Sequence, residues 1–207
     1  LLSEADAACY TAKEGGRNRV QVYDSAAAKK REESSIVNML TEAFENNRMT
    51  LFQQEIRATE ENQKQTHYEI LVRMMSETGE IISPAMFLPA AERYGLATTL
   101  DRWVIKTVFN WLSKHGSKLS RPVMLSINLS GQSITDKFMA GFIKQQFKEF
   151  AIKEDTVCFE ITETAAMNDL YRARQFIDEI KLLGCKFSLD DFGSGHFREL
   201  TIIFNYR

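Results

Sequence analysis

Carboxylates and amides recur in this chain at the ends of apolar, strand-like runs. The runs are Tyr68-Glu69-Ile70-Leu71-Val72-Arg73, Ser126-Ile127-Asn128-Leu129-Ser130, Phe159-Glu160-Ile161-Thr162-Glu163 and Leu189-Asp190-Asp191-Phe192-Gly193. A carboxylate in apolar surroundings is costly unless it is paired or binds a cation. Repeated costs of this kind in one chain point to segments that converge on a common cation. The collected donors, Glu69, Asn128, Glu160, Asp190 and Asp191, offer oxygen only, which suits magnesium or manganese. No histidine or cysteine accompanies them at a zinc-like spacing. Adjacent Asp190 and Asp191 diverge and can serve two cations. Arg73 falls on the strand face of Glu69, and its planar guanidinium matches a pair of phosphate oxygens. Each feature also has a plainer reading. Glu69 and Arg73 can form a buried ion pair. Asn128 can cap a turn. Asp190-Asp191-Phe192-Gly193 can be a strand exit with Gly193 at positive φ. Their joint occurrence in this order favours a site.

The elements that must position these groups follow from periodicity. Residues 51–56, 68–74, 122–128, 157–162 and 186–190 read as strands. Helical spacing marks residues 1–13, a helix that begins with Ile36, Met39, Leu40, Ala43 and Phe44 and ends near Asn46-Asn47, and residues 100–114, 136–150 and 169–183. Strands alternating with helices predict parallel pairing through helical crossovers. On the second strand Glu69, Leu71 and Arg73 share one face, and Ile70, Val72 and Met74 the other. An open sheet covered by helices needs two apolar faces. A barrel tolerates a polar inner face near its mouth, where sites are built. The expected fold is therefore α/β, a partial TIM-like (β/α) barrel with about five of its eight strands.

Bulk composition narrows the function classes. The chain has 207 residues, 44% hydrophobic and 26% charged, with a formal net charge of -2. No basic surplus is available for a nucleic-acid polymer. No apolar run reaches the roughly 18 residues of a membrane span, and no signal peptide is visible. Cys9, Cys158 and Cys185 are odd in number, widely spaced and flanked by apolar residues, as expected of reduced, buried thiols in the cytoplasm. Tethering to a membrane through upstream segments stays compatible with this. His67 and His115 read as exposed loop residues, and Trp103 and Trp111 as packing on one helix face.

The motifs resemble two bacterial families in tandem. Ala5-Asp6-Ala7-Ala8-Cys9-Tyr10-Thr11-Ala12-Lys13 and Gly16-Arg17-Asn18-Arg19-Val20 resemble the tail of a GGDEF (diguanylate cyclase-type) domain. Glu69-Ile70-Leu71 with Arg73, Phe87-Leu88-Pro89-Ala90-Ala91-Glu92, Asn128-Leu129-Ser130, Glu160-Ile161-Thr162-Glu163 and Asp190-Asp191-Phe192-Gly193-Ser194-Gly195 resemble an EAL domain, the cyclic-di-GMP phosphodiesterase family. Ile70 replaces the family's alanine, and by parity it faces away from the site. The expected organisation is a GGDEF tail over residues 1–23, a linker with an amphipathic helix over 24–48, and the first part of an EAL domain over 49–207. The pattern is lost after residue 195, which suggests a truncated barrel, a shifted frame at the tail and no turnover by the chain as it stands.

The resemblance implies metal-dependent hydrolysis of cyclic di-GMP to linear pGpG by the longer protein, working as a homodimer with two Mg²⁺ or Mn²⁺ ions. Glu69, Asn128, Glu160 and Asp190 would bind the first ion and Asp191 the second. Glu69 and Glu163 would be catalytic, with Glu163 steadying a loop that also shapes the dimer interface. Gln54 and Arg73 would meet the substrate, although Glu55 replaces the proline that usually follows Gln54. Lys13 and Arg17 match residues that contact nucleotide phosphates in GGDEF tails; a helix-end cation on the dipole is the favoured reading for this piece. The alternative function is a receptor that binds cyclic di-GMP without cleaving it.

Overall fold

The structure, a computed structural model, describes residues 5, 8–10, 12–13, 20, 22, 25–57 and 65–190, with the backbone alone for 25–32. Helix α1 (Ser25–Glu45) leads into strands β1 (Met49–Ile56), β2 (Thr66–Met75) and β3 (Ile81–Ile82). Helices α2 (Pro84–Arg93) and α3 (Ala97–His115) follow, then a 3-10 turn (Gly116–Lys118) and strand β4 (Val123–Leu129). The remainder is α4 (Gly131–Thr135), α5 (Met139–Glu149), β5 (Val157–Thr162), α6 (Glu163–Asn168), α7 (Leu170–Lys181) and β6 (Lys186–Asp190). The result is an α/β fold around one mixed sheet, in the order β1-β2-β4-β5-β6 with β3 on the end of β2.

The pairing is parallel for β2–β4, β4–β5 and β5–β6, as the strand–helix alternation requires. It is antiparallel for β1–β2, which corrects the expectation of parallel pairing throughout. The physical reason is length: residues 57–65 are too few for a crossover helix, so the chain returns beside its own strand. Strand β3 carried too short a signal to register. The charged stretch before Ile36 is helical, because α1 begins at Ser25 and runs unbroken to Glu45. Val20 and Val22, whose spacing suits a short strand, lie in no regular element.

One face of the sheet carries the core. Ile70, Met74, Val123, Leu125, Ile127, Leu129, Val157, Phe159 and Ile161 are buried and share the parity that faces the helices. Helices α3, α5 and α7 answer with Val104, Ile105, Val108, Phe109, Ile143, Phe147, Phe176, Ile177 and Ile180. Phe109 meets Phe147 edge-on at 4.9 Å, and Phe187 links Phe159 to Phe176 at 5.8 and 6.2 Å. Ile70 belongs to this face, so the isoleucine at this position is a matter of packing. Glycine is required before β6. Gly184 adopts φ +77, and a Cβ there would lie 2.5 Å from Glu154 Cγ.

Phe159 is fully buried, whereas Leu182 is 85% exposed. Phe159→Ala is expected to destabilise the fold by about 3–5 kcal/mol. Leu182→Ala is expected to stay within about 0.5 kcal/mol of the wild type. Urea unfolding of the two variants reads both; similar midpoints for them would contradict this assignment of the core.

Candidate functional site

The opposite face of the sheet is polar. Register places Gln54 opposite Glu69, Glu69 opposite Ser126, Asn128 opposite Glu160, Glu160 opposite Ser188, and Thr162 opposite Asp190. Side chains alternate along each strand, so Gln54, Glu69, Arg73, Asn128, Glu160 and Asp190 all emerge on this one face. Asn128, Glu160 and Asp190 sit within two residues of the carboxyl ends of parallel neighbours β4, β5 and β6. The Asn128 amide donates to Glu69 Oε1 at 3.0 Å. Ser188 Oγ donates to Glu160 Oε1 at 3.2 Å. Glu69 and Glu160 are half-buried, while Asn128, Asp190 and Gln54 are exposed. The acids are thus less deeply buried than their apolar flanks suggested, because the flanking residues point into the helix layer and the acids away from it.

Two strand ends use the same local device. Ser130, two residues after Asn128, caps α4 by accepting from Ser133 N at 3.2 Å. Thr162, two residues after Glu160, caps α6 by accepting from Ala165 N at 3.2 Å. A cap fixes where the strand stops and so fixes the side chain two positions back at the rim. The two turns pack together, and a Cβ added at Gly131 would lie 3.3 Å from Ala165 Cβ. Glu163 follows as the first residue of α6 and is buried, which suits a structural anchor for this rim.

Arg73 lies on the same face beyond Glu69. Its Nη1 donates to Val72 O at 2.8 Å, and its guanidinium lies 5.6 Å from the Phe52 ring centre. A cavity of about 270 Å³ is lined by Arg73, Asn128, Glu160, Thr162, Asp101 and Glu92, among others. Among the described residues no three His, Cys, Asp or Glu side chains gather closely enough to hold a metal by themselves. The donor types nonetheless suit a hard cation, because Glu69, Asn128 and Glu160 carry carboxylate or amide oxygens on one face of neighbouring strands, with the Asn128 Nδ2 turned to Glu69 and its own oxygen left for a ligand. Asp191 and Arg17 lie outside the described residues, and Lys13 is exposed in a helical stretch.

Sequence reasoning missed several groups. His67 is half-buried in β2 and hydrogen-bonds Ser126 Oγ at 2.6 Å, so it is not an exposed loop residue. His115 is exposed but helical, stacked on Trp111 at 5.3 Å. Asp101 in α3 is buried, and its Oδ2 accepts from Ser130 N at 2.9 Å, Ser130 Oγ at 2.7 Å and Ser133 Oγ at 2.6 Å. Burial pushes its pKa up, opposed by the hydrogen bonds from Ser133 and Ser130. A signal for it existed in the sequence: Asp101 shares the stripe of Val104, Ile105 and Val108, where an acid is out of place.

The thiols also divide. Cys158 and Cys185 are buried, but Cys9 is exposed, which corrects the expectation of three buried thiols. Cys158 lies on the polar face and donates to Ser188 Oγ at 3.7 Å. Burial, and then the Glu160 charge, push the Cys158 thiol up. Burial and neighbouring Cys158 push Cys185 to about 12.

The sequence profile described as the EAL domain matches residues 37–199. The cyclic di-GMP phosphodiesterase PdeB of Shewanella oneidensis is 37% identical over 210 residues, covering 98% of this chain and 24% of that protein. The biofilm architecture maintenance protein MbaA of Vibrio cholerae is 34% identical over 202 residues, covering 95% of this chain and 24% of that protein. The chain therefore spans about a quarter of the length of these curated relatives. Among solved structures, the FimX EAL domain of Pseudomonas aeruginosa bound to c-di-GMP superposes with a TM-score of 0.74 at 27% identity, covering 80% of this chain and 66% of that one.

A native-state thiol titration at pH 8 is expected to modify Cys9 rapidly and Cys158 and Cys185 only on unfolding. A buried thiol with a raised pKa keeps its proton where the unfolded chain has lost it. Its contribution to stability is therefore present below about pH 8.5 and lost as pH rises toward 12. Equal, fast modification of all three thiols in the folded chain would contradict this.

Proposed function

This chain belongs to the EAL-domain family, and from that premise we propose that it forms the cation- and phosphate-binding wall of a cyclic di-GMP phosphodiesterase. The observation that carries the reading is the placement of Glu69, Asn128, Glu160 and Asp190 on one face of neighbouring strands, with the Asn128 amide on Glu69. The whole protein would add water across one phosphodiester bond of the cyclic dinucleotide, releasing linear pGpG with a new 5′-phosphate and 3′-hydroxyl.

Glu69, Asn128, Glu160 and Asp190 would hold one Mg²⁺ or Mn²⁺, and Asp191 would reach a second. Such ions, when bound, neutralise phosphate charge and make a bound water acidic enough to attack near neutral pH. The chain's own side chains do the remaining work. Asn128 holds Glu69 in place through the 3.0 Å hydrogen bond, and Ser188 does the same for Glu160. Arg73 would clamp phosphate oxygens with its planar fork, and Gln54, opposite Glu69 on the edge strand, would contact the nucleotide from the other side. Buried Glu163 would hold the rim after β5 and act with Glu69 in catalysis.

Residues 1–23 are assigned in this reading to the tail of a GGDEF domain on their own sequence motifs. Pairing of two copies is part of the same reading. Among the described residues no helix is long and apolar enough to cross a membrane.

The test is incubation of the full-length protein with cyclic di-GMP and Mg²⁺ or Mn²⁺. Linear pGpG is the expected product, and Glu69→Ala is expected to lower its rate on the order of 100-fold or more. Tight binding of cyclic di-GMP with no linear product would replace the enzyme reading by that of a receptor.

A further inference from the structure

We propose that Asp101 is a positioning residue for the site: its single oxygen Oδ2 pins the turn after β4 and so holds the Asn128 amide on Glu69. The proposal rests on the cation-binding reading above and extends it to a residue of α3. Asp101 lies far from Asn128 in sequence, yet it reaches Ser130 twice, at the backbone N–H (2.9 Å) and at the hydroxyl (2.7 Å). The third bond comes from Ser133, which is itself fully buried, at 2.6 Å. Only Leu129 separates Ser130 from Asn128, so a shift at Ser130 moves the Asn128 amide directly.

The choice of an acid here needs a reason. Helix α4 already has a cap in Ser130, so Asp101 is not needed to satisfy Ser133 N. A carboxylate at 8% exposure is costly to bury. What it adds over a neutral acceptor is charge-assisted hydrogen bonding, shorter and about twice as strong. Those bonds tie α3 to the strand end rather than closing α4 on itself. Other ties to the same turn land further on: Gln132 donates to Glu92 O, and Arg102 pairs with Asp136 at 2.8 Å. Asp101 alone among these reaches the residue next to the site's strand. It also lines the cavity that Asn128, Glu160 and Arg73 line, so the pin stands directly behind the donors it orders.

The test uses the full-length protein and the variants Asp101→Ala, Asp101→Asn and Ser133→Ala, with Ile180→Val as a core control remote from the site. Mn²⁺ binding is followed by loss of the free-ion EPR signal. The expected result is Mn²⁺ affinity weakened about 10- to 100-fold in Asp101→Ala. Asp101→Asn and Ser133→Ala should show smaller losses, and Ile180→Val none despite its lower melting temperature. Should Asp101→Ala fail to fold, the other two variants decide. Wild-type affinity in the Asp101 variants, or an equal loss in Ile180→Val, would overturn the proposal. A metal-free crystal structure of Asp101→Asn gives a second readout. The Asn128 Nδ2 to Glu69 Oε1 distance should open beyond hydrogen-bond range; an unchanged contact would overturn the proposal. If the wild type takes up no Mn²⁺, the cation reading fails, and the crystallographic distance still decides the role of Asp101.

Discussion

Side chains on a strand alternate between two faces, and this constraint sorts nearly everything in the molecule. It sends Ile70, Ile127, Phe159 and Ile161 into the helix layer. It sends Glu69, Asn128 and Glu160 to the other side. Each strand is therefore held by its apolar residues, while its polar residues are left for chemistry. Moving one strand's register by a single residue would exchange the two sets. The packed core and the polar rim are thus two consequences of one register.

The rim depends on how strands end. Ser130 and Thr162 cap the short helices α4 and α6 and stop β4 and β5 at defined points. Asn128 and Glu160 then stand two residues inside those stops, side by side in register. The hydrogen bond between Asn128 and Glu69 extends the cluster to β2, and Asp101 braces the turn from behind. Held side chains lose little freedom when a charged ligand arrives, which is how a scaffold contributes to binding.

Much of this was legible in the sequence, and the reasons differ by element. Strands β4 and β5 announce themselves by apolar, β-branched runs, β6 by its alternating Phe187 and Leu189, and the parity of β2 reveals its polar face without coordinates. The same reading puts Asn128, Glu160 and Asp190 on one face of these strands, as the register does. The antiparallel return of β1 was missed because periodicity marks a strand but not its partner's direction. Short β3 offered too little pattern, and α1 was read as beginning at Ile36 because its first turns lack apolar spacing. Asp101 sits out of place on the apolar stripe of its helix, but its role is tertiary and emerges only once Ser130 and Ser133 are seen to surround it. His67 was misread because its flanks looked like loop, whereas Ser126 on the neighbouring strand draws it into the sheet.

The claim on which the rest stands is that oxygen donors distant in sequence share one cation at the strand ends. Crystals of the full-length protein soaked in Mn²⁺ and measured at the manganese absorption edge test it directly. The account predicts an anomalous peak at about 2.0–2.4 Å from oxygens of Glu69, Asn128, Glu160 and Asp190. A peak elsewhere on the surface, or an unoccupied polar face at saturating Mn²⁺, would contradict it.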